Sequence, residues 1–127
     1  MSAERTLVTA GGVAAAIGPY SHGASGAGLL CCSGQLPLDA AGEIVAEDAA
    51  TQARQCLENL AQVCAAAGTT LERALRIGVY LVDLADFAAV NEVYAELLGD
   101  AAPARTTIGV ASLPRGARVE IDAIILT

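Results

Sequence analysis

Two side chains near the C-terminus have the types and spacing needed to recognise a carboxylate and to activate water. Arg105 and Glu120 stand at polar positions of two segments that alternate like β-strands. A guanidinium is a rigid fork of donors that suits a carboxylate or a phosphate, and a nearby glutamate can position or deprotonate water. The pattern fits a cross-strand ion pair as well, which is worth less than about 1 kcal/mol when exposed. The residues alone favour the ion pair and leave the site open.

Four further residues could bind a ligand, and each has a simpler structural role as an alternative. Tyr20 follows a glycine–proline turn and could donate a hydrogen bond, or it could be a partly buried core aromatic. Ser33 and Gly34 end an apolar strand, where a hydroxyl more commonly caps a turn. Asn91 lies in a helix beside the apolar stripe, where its amide could reach a ligand, contact a loop or face solvent.

The composition excludes several classes of chemistry. The net charge is −7 and all seven basic residues are arginine. An acidic surface disfavours binding to phosphate backbones, and with no Trp, three Tyr and one Phe the chain is poorly supplied with side chains for base stacking. Without lysine, the chain cannot hold pyridoxal phosphate as an internal aldimine. A single histidine, His22, excludes a multi-histidine metal site within one chain, and no orienting acid supports a Ser21–His22 nucleophile pair.

The four cysteines do not have the spacing of disulfide partners. Cys31 and Cys32 are adjacent in a predicted strand and should point to opposite faces. Cys56 and Cys64 lie in one predicted helix, roughly 12 Å apart along its axis. We therefore expect all four to be small buried side chains in a reducing compartment.

The periodicity predicts one domain over residues 1–127 with six strands and two helices. Strands are expected at 5–9, from Tyr20 to Gly23, and at 29–33, 74–82, 104–110 and 117–126, with a turn at 25–28. One helix is expected at 48–67, with Gly68 as its stop, and a second from Asp83 or Asp86 to Leu98. The predicted buried positions are Ala53, Cys56, Leu57, Leu60, Cys64 and Ala67 in the first helix, Phe87, Val90, Tyr94, Leu97 and Leu98 in the second, and Leu75, Ile77, Val79, Leu81, Val119, Ile121, Ala123 and Ile125 in the strands.

This order of elements predicts an α/β (α+β) fold with one sheet and two helices on one of its faces. Arg105, Thr107 and Gly109 share one side of their strand, and Arg118, Glu120 and Asp122 share the polar side of theirs. The second face of the sheet is left uncovered in a chain that is 54% hydrophobic, which favours packing against another subunit. No apolar run reaches the length of a membrane span and no secretory signal is evident, so the expected location is cytoplasmic.

Four sequence blocks occur in the order and spacing of a known family. They read IGPYSHG, SGQLPLD, DFAAVNEVYAELLG and PARTTIGVASLPRGARVEIDAI. Together they closely resemble the reactive intermediate deaminases, known as RidA or YjgF and also labelled endoribonuclease L-PSP. The resemblance extends from about Thr6 to Ile125, and its C-terminal block is the most specific part.

The resemblance implies a chorismate-mutase-like subunit with a mixed six-stranded sheet, assembled as a homotrimer with clefts between subunits. It implies hydrolysis of enamines and imines such as 2-aminoacrylate and 2-aminocrotonate to 2-keto acids and ammonia, without a cofactor. By position, Arg105 matches the arginine that grips the substrate carboxylate, and Glu120 matches the acid that orients water. The other substrate-binding positions that match are Tyr20, Ser33, Gly34, Asn91 and Thr107.

Two residues depart from the family pattern. Thr107 stands where many bacterial members have cysteine, so a thiol nucleophile is impossible there. His22 stands where glutamine or another polar residue is common, and it is expected at the mouth of the cleft, where it would tune the choice of substrate.

Other functions remain open from the sequence. The family's second label suggests a ribonuclease or a translation inhibitor, which the acidic charge and the missing lysines argue against. A small-carboxylate binding module or a chaperone-like protein would need Arg105 but not Glu120. A specialised catabolic pathway would use the same site on another substrate.

Overall fold

The computed structural model describes residues 4–127 and has six strands and two helices. The strands are β1 (Thr6–Val8), β2 (Gly23–Gly26), β3 (Leu29–Gln35), β4 (Ala74–Leu81), β5 (Ala104–Gly109) and β6 (Val119–Leu126). The helices are α1 (Ala49–Ala66) and α2 (Phe87–Leu98). Each lies within a few residues of its predicted position except β2, which begins at Gly23, where its predicted segment ends, and runs on to Gly26.

All six strands form one mixed sheet in the order β1-β2-β3-β6-β4-β5. Only β4 and β5 are parallel, and α2 forms the crossover between them. The last strand, β6, lies antiparallel between β3 and β4, so it separates the two halves of the chain's sheet. This topology confirms the predicted fold class.

The core lies between one face of the sheet and the two helices. The alternating residues of β6 that were predicted to be buried are nearly inaccessible, and the same holds for most of the α1 stripe. Helix α1 starts where Asp48 caps it, accepting a hydrogen bond from the Thr51 backbone N–H at 2.9 Å. It is followed by Gly68 in the left-handed conformation, as the sequence predicts.

Three predicted core positions are wrong. Leu75 is exposed because the register between β4 and β6 shifts between Ala74 and Arg76, which turns this side chain out of the alternation. Phe87 and Leu97 are also exposed, although Leu98 directly after Leu97 is buried; Val93 is buried instead.

The cysteines follow the prediction in part. All four are free, and Cys31 and Cys32 point to opposite faces of β3, one exposed and one buried. Cys31 therefore contradicts the expectation that all four are buried. Cys32 and Cys64 form a hydrogen-bonded thiol pair between β3 and α1, and this contact together with burial raises the pKa of Cys32.

The second face of the sheet, which we call the open face, is not covered by any helix of the described residues. It carries exposed apolar side chains on both edges and in the centre, among them Leu7, Ile108 and Leu126. Near its centre, the Tyr80 hydroxyl donates to Asp122 at 2.9 Å. No helix in residues 4–127 is long and apolar enough to cross a membrane.

Candidate active site

Arg105 lies on the helix-covered face of the sheet, at its β5 edge. Its register partner in β4 is Ile77, which is fully buried beneath the helices, and paired residues of neighbouring strands point to the same side. The guanidinium donates from Nη2 to the Asn91 Oδ1 atom at 2.6 Å. It also lies over two aromatic rings, 4.6 Å from the centre of Tyr94 and 5.6 Å from the centre of Phe87. These residues form what we call the arginine half-site.

Helix α2 provides these three contacts of Arg105. Phe87, Asn91 and Tyr94 are four and three residues apart, so they follow one another on a single face of the helix. Because α2 is the crossover between β4 and β5, it lies on the side of the sheet to which Arg105 points, and the Arg105 side chain reaches that face of the helix. Local helix periodicity and one parallel pairing thus place an amide and two rings around one guanidinium.

Thr107 belongs to the same half-site by its position. It follows Arg105 by two residues in β5 and so points to the same face of the sheet. Its Oγ1 atom is buried and has no hydrogen-bond partner among the described residues. A buried hydroxyl without a partner costs free energy and is free to bond to a ligand or to a water.

Glu120 lies on the open face. Its neighbours Val119 and Ile121 are buried against the helices, so the intervening side chain of β6 points the other way. The carboxylate packs over Gly34 of β3, where a Cβ atom would overlap its Oε2 atom. Partial burial raises the pKa of Glu120, and the negative charge of Asp122 raises it further. A carboxylate with a raised pKa is a better proton acceptor than an ordinary one near neutral pH.

A cleft of about 380 Å³ opens in front of Glu120. It is lined by Ile17, Tyr20, Ser33, Gly34, Leu36, Pro114 and Glu120. Ser33 is held in place because its hydroxyl donates to the Ser21 carbonyl at 2.6 Å, which replaces the predicted turn-capping role. The Tyr20 hydroxyl accepts from the Ile17 backbone N–H at 3.3 Å and is exposed. We call this group the glutamate half-site.

One chain does not bring Arg105 and Glu120 together. Strand β4 lies between β5 and β6, and the two side chains point to opposite faces of the sheet. The predicted cross-strand ion pair is therefore wrong, and so is a site shared by the two residues within one chain. Among residues 4–127, no carboxylate forms an ion pair with Arg105.

The predicted ligand-binding positions divide between the two half-sites. Asn91 and Thr107 lie with Arg105, whereas Tyr20, Ser33 and Gly34 lie with Glu120. The structure adds Tyr94, which the sequence pattern treats only as part of an apolar stripe. The Tyr94 hydroxyl is buried and has no partner among the described residues, and burial raises the pKa of Tyr94 although the charge of Arg105 opposes it.

His22 has a structural role in this chain. Its ring is 5% exposed, Nδ1 accepts from the Ala10 backbone N–H at 3.0 Å, and Nε2 lies 2.9 Å from the Ala14 carbonyl. These contacts require the neutral tautomer with the proton on Nε2. Both ring nitrogens are thus occupied in fixing the loop before Tyr20, so a direct contact between His22 and a substrate is not expected.

Gly34→Ala is expected to displace the Glu120 carboxylate while leaving the fold intact. The added Cβ overlaps the end of a flexible side chain rather than backbone, so the carboxylate can move away. If Glu120 positions water, a displacement of about 1 Å should lower kcat/KM by about 10²-fold. The melting temperature and the steady-state kinetics of the purified variant measure the two effects.

Gly11→Ala is the matched control, because a Cβ atom at that position meets nothing within 4 Å. Both variants add one methyl group to a glycine, but only one of them touches the carboxylate. Equal activity of the two variants would show that the position of Glu120 has no bearing on the reaction.

No group of three or more His, Cys, Asp or Glu side chains within residues 4–127 is arranged to hold a metal ion. The arrangement instead consists of a cationic donor group, a carboxylate of raised pKa and a cleft. These groups can bind a small anion and move a proton between water and a bound molecule.

Comparisons with known proteins identify relatives over nearly the whole chain. Residues 7–127 match the family described as endoribonuclease L-PSP. The chain is 47% identical to the RutC family protein y4sK of Sinorhizobium fredii over 111 residues, which is 87% of this chain and 88% of that protein. It is 39% identical over 124 residues, 97% of this chain and 90% of the other, to a goat (Capra hircus) protein named 2-iminobutanoate/2-iminopropanoate deaminase. The crystal structure of E. coli TdcF with bound serine superposes with a TM-score of 0.91 at 34% identity and covers 96% of this chain and 98% of that one.

Proposed function

Since this chain belongs to the endoribonuclease L-PSP family, also known as RidA or YjgF, we propose that it hydrolyses reactive 2-enamino and 2-imino acids. The products are a 2-keto acid and ammonia, and 2-aminoacrylate and 2-aminocrotonate are the proposed substrates. The goat relative bears the name of this activity. The serine bound to the E. coli structure carries a nitrogen next to a carboxylate, as a 2-imino acid does.

The observation that carries the proposal is the way Arg105 is held. Its guanidinium contacts an amide oxygen and two ring faces, and no acidic side chain of the described residues neutralises it. A guanidinium with these neighbours still has most of its five N–H donors available to a ligand. Two of these N–H groups, side by side, match the two oxygens of a carboxylate. The orphan hydroxyl of Thr107 on the same face can donate to the same anion.

Glu120 would supply the proton transfer. In the imine tautomer, the carbon next to the carboxylate is electrophilic, and a water held by Glu120 attacks it while the carboxylate takes a water proton. As the C–O bond forms, the C=N π electron pair moves to nitrogen, and the proton that Glu120 took from water is passed to that nitrogen, which gives a carbinolamine. The carbinolamine hydroxyl then gives up its proton, which Glu120 or a water transfers to nitrogen, so the C–N bond breaks while the C=O bond forms. Ammonia leaves and a 2-keto acid remains. The reaction needs neither a thiol at position 107 nor a cofactor, because the substrate is already reactive.

The separation of the half-sites requires more than one copy of the chain for this chemistry. A neighbouring copy that covers the open face would bring its own β5 edge towards the cleft of Glu120. Exposed Leu7, Ile108 and Leu126 give that face an apolar surface to bury. We propose a homotrimer in which each cleft takes Arg105 from one subunit and Glu120 from the next, since repeated contacts of this kind close into a ring.

A coupled assay tests the activity. A pyridoxal-phosphate-dependent threonine or serine dehydratase releases the enamine, and the release of 2-keto acid is followed with and without this protein. We expect faster release when the protein is present at catalytic concentration. No acceleration with either substrate would contradict the proposal. Binding of 2-keto acids that persists without acceleration would favour the carboxylate-binding module.

The pH dependence of kcat/KM reports on Glu120. If its ionised form takes the water proton, activity should rise with pH and level off above the raised pKa of Glu120, which lies above the ordinary value of 4.5. Glu120→Gln should abolish this rise of kcat/KM with pH and most of the activity.

The raised pKa of Glu120 also predicts that its ionisation destabilises the fold as pH rises through that pKa. Glu120→Gln should therefore melt at a higher temperature than the wild type at neutral pH.

The melting experiment has its own control in acid. Below the ordinary pKa of glutamate, the side chain is protonated in both the folded and the unfolded chain, so the advantage of glutamine should disappear. An advantage of the same size at acidic and neutral pH would show that the carboxylate charge is not its cause.

A further inference from the structure

Two aromatic rings lie against the Arg105 guanidinium, and the proposed reaction gives them no role. Its guanidinium carbon is 4.6 Å from the centre of the Tyr94 ring and 5.6 Å from that of Phe87, seven residues earlier on the same helix face. Tyr94 is 6% exposed, whereas Phe87 is 42% exposed. One ring therefore forms a fixed base for the guanidinium, and the other reaches it from the solvent side.

Asn91 alone does not fix the orientation of the guanidinium. It makes one hydrogen bond, to Nη2 at 2.6 Å, and a planar group held at one atom can still rotate about that contact. A second contact against a ring face restricts this rotation, because a guanidinium gains cation–π attraction when it lies over the ring. A hydrogen bond and a ring face together hold both the position and the plane of the group.

The Tyr94 hydroxyl distinguishes the role of the ring from that of the phenol. It is buried and has no hydrogen-bond partner among the described residues, so within the chain it contributes no contact that a phenylalanine would lose. The ring is accordingly the part of Tyr94 that acts on Arg105.

We propose that the Tyr94 and Phe87 rings are positioning residues that hold the Arg105 guanidinium with its free donors directed at the substrate carboxylate. The inference rests on the proposed function of Arg105 as the carboxylate anchor. The rings do not touch the substrate; they set the orientation of the group that does. Pre-ordering the long arginine side chain lowers the entropy cost of binding the carboxylate. The effect belongs to substrate binding, because the carboxylate itself does not change during hydrolysis.

The first test is spectroscopic and does not depend on activity. A ring face shields protons that lie over it, so the Nε–Hε signal of Arg105 should be shifted to higher field than the signals of the chain's other arginines. Arg105→Lys identifies the signal by removing it. Tyr94→Phe should keep the shift, Tyr94→Leu should remove most of it, and Phe87→Leu should reduce it. An unshifted wild-type signal, or a signal that Tyr94→Leu leaves in place, would overturn the proposal.

The second test separates KM from kcat in the coupled assay. Tyr94→Leu should raise KM by about 5- to 30-fold and change kcat by less than about 3-fold. Tyr94→Phe should restore the wild-type KM, which a role for the hydroxyl would not allow. A Tyr94→Phe variant that behaves like Tyr94→Leu would overturn the assignment to the ring.

Phe87→Leu keeps both tests decisive if Tyr94→Leu does not fold. Phe87 is exposed, so its replacement should leave the melting temperature within a few degrees of wild type while KM rises by about 2- to 5-fold. An unchanged KM and an unchanged Arg105 signal in this variant would count against the aromatic pair. If wild-type protein shows the shifted signal but hydrolyses no imine, the proposed function fails while the positioning of Arg105 stands.

Discussion

Arg105→Ala is expected to lower kcat/KM for 2-imino acids by about 10²- to 10³-fold, because it removes charge-assisted hydrogen bonds worth about 3–4 kcal/mol in a partly desolvated site. Substrate binding should weaken and the imine carbon should no longer be held next to the water at Glu120. The stability of the protein should change by no more than about 1–2 kcal/mol, since Arg105 forms no ion pair among the described residues and its removal takes away one hydrogen bond to Asn91 and the contacts with the Tyr94 and Phe87 rings. Steady-state kinetics in the coupled assay and a thermal melt measure the two quantities.

Two further variants separate the fork of Arg105 from its charge. Arg105→Lys keeps the charge but cannot bind a carboxylate bidentately, so we expect a smaller loss of about 10-fold. Arg73→Ala removes an exposed arginine next to β4 and lowers the net charge by the same amount, and it should behave like wild type. Equal rates for Arg105→Ala and Arg73→Ala would show that Arg105 does not anchor the substrate.

The sequence predicts which residues share a side of β5, but it cannot predict which side faces the helices. In most strands an apolar side marks the core, as in β6, where Val119 and Ile121 are buried and Glu120 between them is not. Strand β5 lies at the edge of the sheet, and each of its residues is at least partly exposed. Its alternation of side chains therefore does not show which side faces the core. From the sequence alone, Arg105 is predicted on the polar side with Glu120, whereas in the structure it lies on the opposite face.

The order of strands in the sheet is a second property that local patterns do not contain. Strands β5 and β6 are consecutive in the chain, which makes adjacency a reasonable expectation, yet β4 lies between them. The insertion of β6 depends on pairings with β3 and β4 that are distant in sequence. The family resemblance implies roles for Arg105 and Glu120 without regard to these pairings, and it implies a cleft between subunits rather than within one.

Gly34 is a residue whose type alone predicts part of the site. A glycine inside a strand commonly marks a place where another group approaches the backbone closely. In the structure that group is the Glu120 carboxylate, for which a Cβ at position 34 would leave no room. The glycine indicates that another group packs against the backbone at position 34. Which group this is follows only from the pairing of β3 with β6.

Mixed assemblies of Arg105→Ala and Glu120→Gln chains are expected to regain activity that neither variant has alone. The two residues lie on opposite faces of one sheet, so each chain supplies one half-site to each of two different clefts. In a mixed ring, a cleft is intact when its Arg105 comes from the Glu120→Gln chain and its Glu120 comes from the Arg105→Ala chain. Random mixing in equal amounts gives this combination in about one quarter of the clefts, whatever the number of subunits in the ring.

The experiment uses coexpression of the two variants with different affinity tags, followed by sequential purification on both tags and native mass spectrometry to establish that hybrids have formed. Hybrids purified on both tags should have about one third of the wild-type activity per chain, since each mixed trimer contains one intact cleft out of three. Each variant purified alone serves as the baseline. Inactive hybrids would mean that both groups act within one copy, and the placement of Arg105 and Glu120 on opposite faces would then exclude their joint action. Recovery of activity would instead show that the opposite orientation of the two side chains is the basis of a site shared between subunits.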